Sequence, residues 1–336
     1  MHHGGDLTDA MIRFGGTKAD WLDVSTGINP HPYPFASTFS PSAWCDLPGK
    51  AALEKLLAAA RTAYKCPANL QMLAAPGTQI LISQLPYLLP EGPVAICGPT
   101  YTSHGEAFVR AGRAIEEVTS PYALPDRAKI AVIVNPNNPD GRLVDVQSLL
   151  SIAQTLRERG GILVLDEAFA DVAPGASVLP HLSADNVVVL RSFGKFFGLA
   201  GLRLGFMAAS AELVPRMATR LDSWAVSGPA LELGTAALAD LDWQVAMQRQ
   251  LADEITDLTL CLGNNGLTVF GGTPLYALAA HPNAVALHEA LARQKIWTRV
   301  FDYAPTWIRI GLPGSSSALQ RLAETLAKIS PEIHSQ

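Results

Sequence analysis

Four short apolar runs, Val94–Cys97, Ile130–Val134, Ile162–Leu165 and Val187–Leu190, constrain the fold more than any other feature of the chain. They are continuous rather than alternating, the pattern of strands covered on both faces, and such strands belong to a mainly parallel sheet flanked by helices. Between the second and third runs, Val146, Leu149, Leu150, Ala153 and Leu156 fall on one helical face, with Gly160-Gly161 as the stop. Strand, helix, strand is the parallel crossover unit. Leu204–Ala208 reads as a further strand, and residues 209–260 as helical. Residues 267–312 read as α+β: Leu267–Phe270, a helix around Ala284–Gln294, then Trp297–Val300 and Trp307–Ile310. Pro30, Pro32, Pro34 and Pro41 predict an extended N-terminal arm. The expected organisation is an arm with part of a small domain over 1–45, a large α/β domain over 46–240 and the rest of the small domain over 241–336.

The bulk numbers narrow the class. A chain of 336 residues can form one large domain or two moderate ones. Its 49% apolar and 16% charged residues suit a buried α/β enzyme. The net charge, 25 − 30 = −5, comes without a basic run, which argues against nucleic-acid binding. Cys45, Cys66, Cys97 and Cys261 are far apart and fit reduced thiols better than disulfides or a metal site. Residues 1–6 do not open a secretory signal, and no apolar segment reaches the roughly 18 residues of a membrane span. A cytoplasmic protein that binds neither membrane nor metal is expected.

In sheets of this kind ligands collect beyond the carboxyl ends of the strands. The polar residues that follow the runs are therefore brought together by topology. Asp166 ends one strand; it is a helix cap, a surface ion pair or, with Lys195 one strand later, the partner of a heterocyclic nitrogen. Lys195 would ordinarily be a solvated lysine. Among Phe193, Phe196 and Phe197, however, it is expected in a partly desolvated setting that favours the nucleophilic amine. A nucleotide phosphate loop is excluded, because the Gly-x4-Gly-Lys-Ser/Thr spacing is absent and Phe196 stands in place of the hydroxyl. Gly77-Thr78-Gln79 opens an apolar helix and can bind an anion, which Ser192 and Arg203 can help enclose. Tyr101 is either core or a ring-stacking residue. Asn138, in the turn-rich Asn135–Gly141 loop, can donate to a ring oxygen. An amine, an acid, an amide and hydroxyls at neighbouring strand ends are the groups needed to hold pyridoxal 5'-phosphate.

With Asn137-Asn-Pro-Asp-Gly141, Asp166-Glu-Ala168, Ser192-Phe-Gly-Lys195 and Gly-Leu-Arg203-Leu-Gly205 in this order, the chain resembles the fold-type-I pyridoxal-phosphate enzymes. Its closest likeness is to the histidinol-phosphate aminotransferase branch of the aspartate-aminotransferase superfamily. The resemblance implies that Lys195 holds the cofactor covalently, Asp166 pairs with the pyridine nitrogen, Asn138 bonds the ring hydroxyl and Tyr101 stacks on the ring. It implies that Gly77, Thr78, Ser192 and Arg203 hold the phosphate, that Arg309 clamps a substrate carboxylate, and that the protein is a homodimer.

Three departures stand out. Phe169 replaces a tyrosine common in the family, Gly194 a serine, and Leu47-Pro48 a Tyr-Pro. They thin the cofactor contacts and weigh against ordinary transamination. The opening, His3-Gly-Gly-Asp6 with Trp21-Leu-Asp-Val-Ser-Thr-Gly-Ile-Asn-Pro30, resembles the L-threonine-O-3-phosphate decarboxylases of cobalamin biosynthesis. That likeness implies substrate contacts at His3, Thr26 and Asn29, with Arg299 joining Arg309 on the carboxylate so that carbon dioxide leaves instead of a proton. Residues near a chain end are also often mobile, which is the plainer reading of His3. Histidinol-phosphate aminotransferase is the alternative activity. A non-catalytic cofactor-binding protein is disfavoured by the Lys195–Asp166 pair.

Overall fold

The computed structural model describes residues 5–35 and 39–334. They group into two units, Pro32–Val245 and, separately, Met1–His31 with Ala246–Gln336. The division falls within the Leu241–Asn264 helix.

In the Pro32–Val245 unit the central element is a seven-stranded sheet. Its order is Gln71–Ala75, Gly205–Ala209, Val187–Ser192, Ile162–Asp166, Ile130–Val134, Val94–Cys97, Ile115–Val118. Gly205–Ala209 is antiparallel to both of its neighbours, and every other strand runs the same way. The four inner strands carry the apolar runs and are buried almost throughout, as β-branched sequences covered on both faces should be. The crossover helix is Val146–Glu158; Asp145 caps it by accepting from Ser148 N at 2.9 Å, and Gly160 ends it at φ 65°. Buried residues of the 78–110 helices and of Leu213–Leu221 close one apolar core against the sheet.

The edge of this sheet that matters is the carboxyl one. The loops after Ala75, Cys97, Val134, Asp166 and Ser192 all leave there, and the antiparallel Gly205–Ala209 strand enters there directly after Arg203.

The other unit holds a four-stranded antiparallel sheet ordered Arg299–Phe301, Ala304–Gly311, Tyr276–Ala280, Thr268–Thr273. Leu22–Asp23 pairs in parallel with Ile296–Trp297. The described residues around Pro30, Pro32 and Pro34 carry neither helix nor strand, but helices lie on either side of them. Thr8–Phe14 is a helix, because Leu7, Ala10, Met11 and Phe14 recur at helical spacing and pack with Trp21, Ala292 and Trp297. Pro41–Cys45, in the larger unit, is also helical; its proline lies in the first turn, where no amide hydrogen bond is lost, and Ser40 caps it. No helix among the described residues is long and apolar enough to cross a membrane.

Candidate active site

Asp166 ends the middle strand of the seven and is 3% exposed. Such a carboxylate needs partners, and it has them: Oδ2 lies 2.8 Å from His104 Nε2, and Oδ1 accepts from Ala168 N at 3.1 Å. His104 is itself buried, in the Ser103–Arg110 helix that follows Tyr101. It is a site residue that sequence reasoning missed. The only signal was its place three residues after Tyr101, at the start of a helix facing a strand end. The Tyr101 ring meets the His104 ring edge-on at 6.2 Å, and its hydroxyl donates to Gln79 Oε1 at 2.9 Å. Burial pushes the Tyr101 phenol up from its ordinary range.

Lys195 sits in a single helical turn, Phe193–Phe196, immediately past the Val187–Ser192 strand. Phe193, Phe196 and Phe197 are buried while Lys195 stays partly open. Phe193 and Phe197 stack at 4.3 Å, and Phe197 stacks in turn on Trp243 at 5.7 Å. This apolar stack fixes the turn. The Lys195 ammonium lies 5.8 Å from the centroid of the Phe169 ring, so the substituted aromatic faces the lysine directly.

Gly77 and Arg203 meet at the far side of the same edge. Gly77 has φ 86° and ψ 161°, a conformation essentially restricted to glycine, and a Cβ there would lie 2.6 Å from Arg203 Nη2. Arg203 adopts the left-handed region at φ 54° and remains exposed, with Nη1 donating to Ala200 O at 3.1 Å. Gly205 is equally restricted, since its Cβ would lie 2.7 Å from Thr78 N. A cation, a helix start and two side-chain-free glycines thus form a small cradle, with Thr78 half-buried and Ser192 buried at the same strand edge.

The Asn135–Gly141 loop is pinned by Asn135 and Asn137. Asn137 accepts from Thr100 Oγ1 at 2.6 Å and donates to Pro99 O and Asp140 Oδ1, while Asn138 is half-buried between these anchors.

In the other unit, Arg299 and Arg309 occupy directly opposed positions on neighbouring strands. Burial pushes both guanidinium groups below their ordinary range, and for Arg309 the neighbouring Arg299 charge adds to the effect. Two partly or fully desolvated cations on opposed positions are a pairing that could accept an anion. Arg309 Nη2 donates to Ser25 O at 2.7 Å, and the Gly5 amide donates to Ser25 Oγ at 2.9 Å. The strand bearing Arg309 approaches the 24–26 segment so closely that a Cβ at Gly311 would lie 2.3 Å from Thr26 O. The Ser25–Thr26 backbone is thereby held against the strand that carries Arg309. Asn29 is buried, with Oδ1 accepting from His31 N at 2.8 Å. His3 lies outside the described residues.

Residues 43–326 match the model of the family described as aminotransferase class I and II. The chain belongs to the aminotransferase class I and II family. Among relatives of this class I and II enzyme, it is 43% identical over 329 residues to a threonine-phosphate decarboxylase of Sinorhizobium sp, covering 97% of this chain and 98% of that one. It is 36% identical over 336 residues to the threonine-phosphate decarboxylase of Pseudomonas aeruginosa, covering 99% of each. The histidinol-phosphate aminotransferase of Clostridium acetobutylicum shares its fold at a TM-score of 0.80 and 16% identity, over 92% of this chain and 99% of that one. The type-I fold expected from the sequence is therefore the fold of the protein.

Proposed function

We propose that this protein is a pyridoxal-phosphate-dependent carboxy-lyase that converts L-threonine O-3-phosphate to (R)-1-aminopropan-2-ol O-phosphate and carbon dioxide, a step of cobalamin biosynthesis. The observation that carries the reading is the near-full-length likeness to the Sinorhizobium decarboxylase.

The residues at the sheet edge fit the cofactor. Asp166 is buried with a fixed orientation, Lys195 is a partly open amine in apolar surroundings, and the Gly77–Arg203 cradle is one that any Cβ would fill. Lys195 would hold the cofactor covalently. Gly77, Thr78, Ser192 and Arg203 would hold its phosphate, Asp166 its ring nitrogen, Asn138 its ring hydroxyl and Tyr101 its ring face. When bound, pyridoxal phosphate supplies an electron sink for the pair released at the substrate's Cα. His104 keeps the Asp166 carboxylate in the single orientation that a ring nitrogen can meet. The paired Arg299 and Arg309 bind the substrate carboxylate, and Thr26 and Asn29 bind the remainder with His3. The carboxylate would leave Cα as carbon dioxide, its bonding pair staying at Cα where the bound cofactor draws on it, and Lys195, free of the cofactor and in its ammonium form, would deliver the proton that takes its place.

The protein acts as a cytoplasmic homodimer on this reading. Trp44, Leu47 and Trp224 support self-association, each being more than 60% exposed in the Pro32–Val245 unit. Light scattering should give twice the 35.7 kDa chain mass.

The deciding assay incubates the purified, cofactor-loaded protein with threonine phosphate and follows carbon dioxide and the amino-alcohol phosphate by mass spectrometry. Release of both is expected. No carbon dioxide from threonine phosphate, with glutamate formed from histidinol phosphate and 2-oxoglutarate, would overturn the reading in favour of an aminotransferase.

A further inference from the structure

Directly behind the candidate cofactor site lies a cluster of buried charges. Arg191, 4% exposed, donates from Nη1 to Glu167 Oε2 at 2.9 Å and from Nη2 to Asp171. Its guanidinium plane lies over the Tyr64 ring at 4.4 Å. Glu167, 0% exposed, also accepts from Ser177 Oγ at 2.5 Å and from Val178 N at 2.8 Å.

The sequence positions of these groups are what give the cluster meaning. Glu167 follows Asp166 and Arg191 precedes Ser192, on strands that pair in parallel with Asp166 opposite Leu190. Successive side chains along a strand point to opposite faces. The Arg191–Glu167 pair therefore joins the two strand ends on one face, while Asp166 and Ser192 emerge on the other. Because the backbone is shared, the fork behind the sheet ties Asp166 to the Ser192–Lys195 turn in front of it, beside the Glu167 N to Leu190 O backbone bond at 2.9 Å. Asp171 adds the turn that follows Phe169.

The cluster is a poor device for stability alone. It sets one cation against two carboxylates in the interior; burial raises both carboxylic acids above their usual range, and the Arg191 charge only partly opposes this. Well-packed neutral side chains commonly serve stability as well or better in such places.

We propose that Arg191, held by Glu167 and Asp171, is a positioning residue that sets the register between Asp166 and the Lys195 turn, and so governs cofactor affinity. The proposal rests on the pyridoxal-phosphate reading above. Two variants test it. Arg191→Lys keeps the positive charge and gives up the two-pronged fork. The triple variant Arg191→Met/Glu167→Gln/Asp171→Asn removes every charge at nearly constant volume.

Three quantities are measured for each: the melting temperature without cofactor, the dissociation constant of pyridoxal phosphate by absorbance titration, and the pH midpoint of the absorbance band that requires Lys195. The triple variant is expected to melt within a few degrees of wild type, yet both variants should bind cofactor about tenfold or more weakly, with a displaced pH midpoint. Wild-type affinity and midpoint in either folded variant would overturn the proposal, as would lowered melting with unchanged affinity, which marks a purely structural cluster. A wild-type protein lacking any Lys195-dependent band would instead sink the cofactor reading itself, before either variant is compared.

Discussion

Gly77→Ala should separate the phosphate cradle from the fold that carries it. At φ 86° and ψ 161° the backbone lies in a region essentially confined to glycine, so an alanine there costs about 1–3 kcal/mol in conformational strain. The added Cβ would also meet Arg203 Nη2 at 2.6 Å and Cζ at 3.2 Å. Those atoms are the far end of an exposed side chain, so the arginine yields rather than the core. The consequence is local: the melting temperature falls by a few degrees, roughly 2–4 °C per kcal/mol for a unit of this size. The guanidinium, meanwhile, leaves the place where it would meet the cofactor phosphate. A charge-assisted hydrogen bond is worth about 1.5–3 kcal/mol, or roughly ten- to hundredfold in affinity. Titrating the apo-protein with pyridoxal phosphate, and in parallel with pyridoxal, reads this directly. Gly77→Ala should weaken the phosphorylated form by that factor and leave the unphosphorylated form nearly unchanged. In an Arg203→Ala background the same substitution should add little, because the displaced group is already gone. Equal losses for the two cofactor forms, or full additivity with Arg203→Ala, would refute the cradle.

Three further outcomes are expected. Lys195→Ala should abolish the long-wavelength absorbance band of the cofactor-loaded protein, and a band that persists would exclude covalent attachment at this residue. His104→Phe keeps a ring of similar size but deletes the donor to Asp166 at 2.8 Å; unfolding free energy should fall by about 1.5–3 kcal/mol and turnover by tenfold or more, and unchanged turnover would dismiss His104 as a site residue. His288 sits beside Thr298 Oγ1 at 2.7 Å, and burial, aided by the Arg13 charge, pushes its pKa down to about 4. The neutral ring is thus favoured in the folded state, so its contribution is complete above about pH 6.5 and is lost as pH falls toward 4; between pH 7.5 and 5 wild type should lose about 2 kcal/mol that His288→Gln retains, and identical pH slopes in urea unfolding would refute this.

How much of this was legible beforehand follows from where the physical information resides. The inner strands were readable because burial on both faces leaves an unbroken apolar run, and the candidate cofactor residues Gly77, Thr78, Tyr101, Asn138, Asp166, Ser192, Lys195 and Arg203 all lie in segments at one edge of the sheet those runs form. Gln71–Ala75 and Tyr276–Ala280 were not readable, since Gln-Met-Leu-Ala-Ala and Tyr-Ala-Leu-Ala-Ala carry no β-branched residue and become strands only through their neighbours. Ile115–Val118 holds Glu116 and Glu117, which an edge strand tolerates and a periodicity argument rejects. His104 and Arg191 were hidden for a different reason. Each acts through a carboxylate 62 or 24 positions away, and no local pattern encodes such a partner. Gly194 shows the reverse case, a residue legible but misjudged in kind. As a missing serine it read as a lost cofactor contact. A Cβ at that position would lie 2.7 Å from Ala200 Cα, a backbone atom that cannot swing away, so the turn that presents Lys195 excludes any side chain there. Of the departures that seemed to thin the site, this one is therefore a condition for its geometry. Phe169 is the departure whose side chain borders the lysine itself, its ring centroid lying 5.8 Å from Lys195 Nζ.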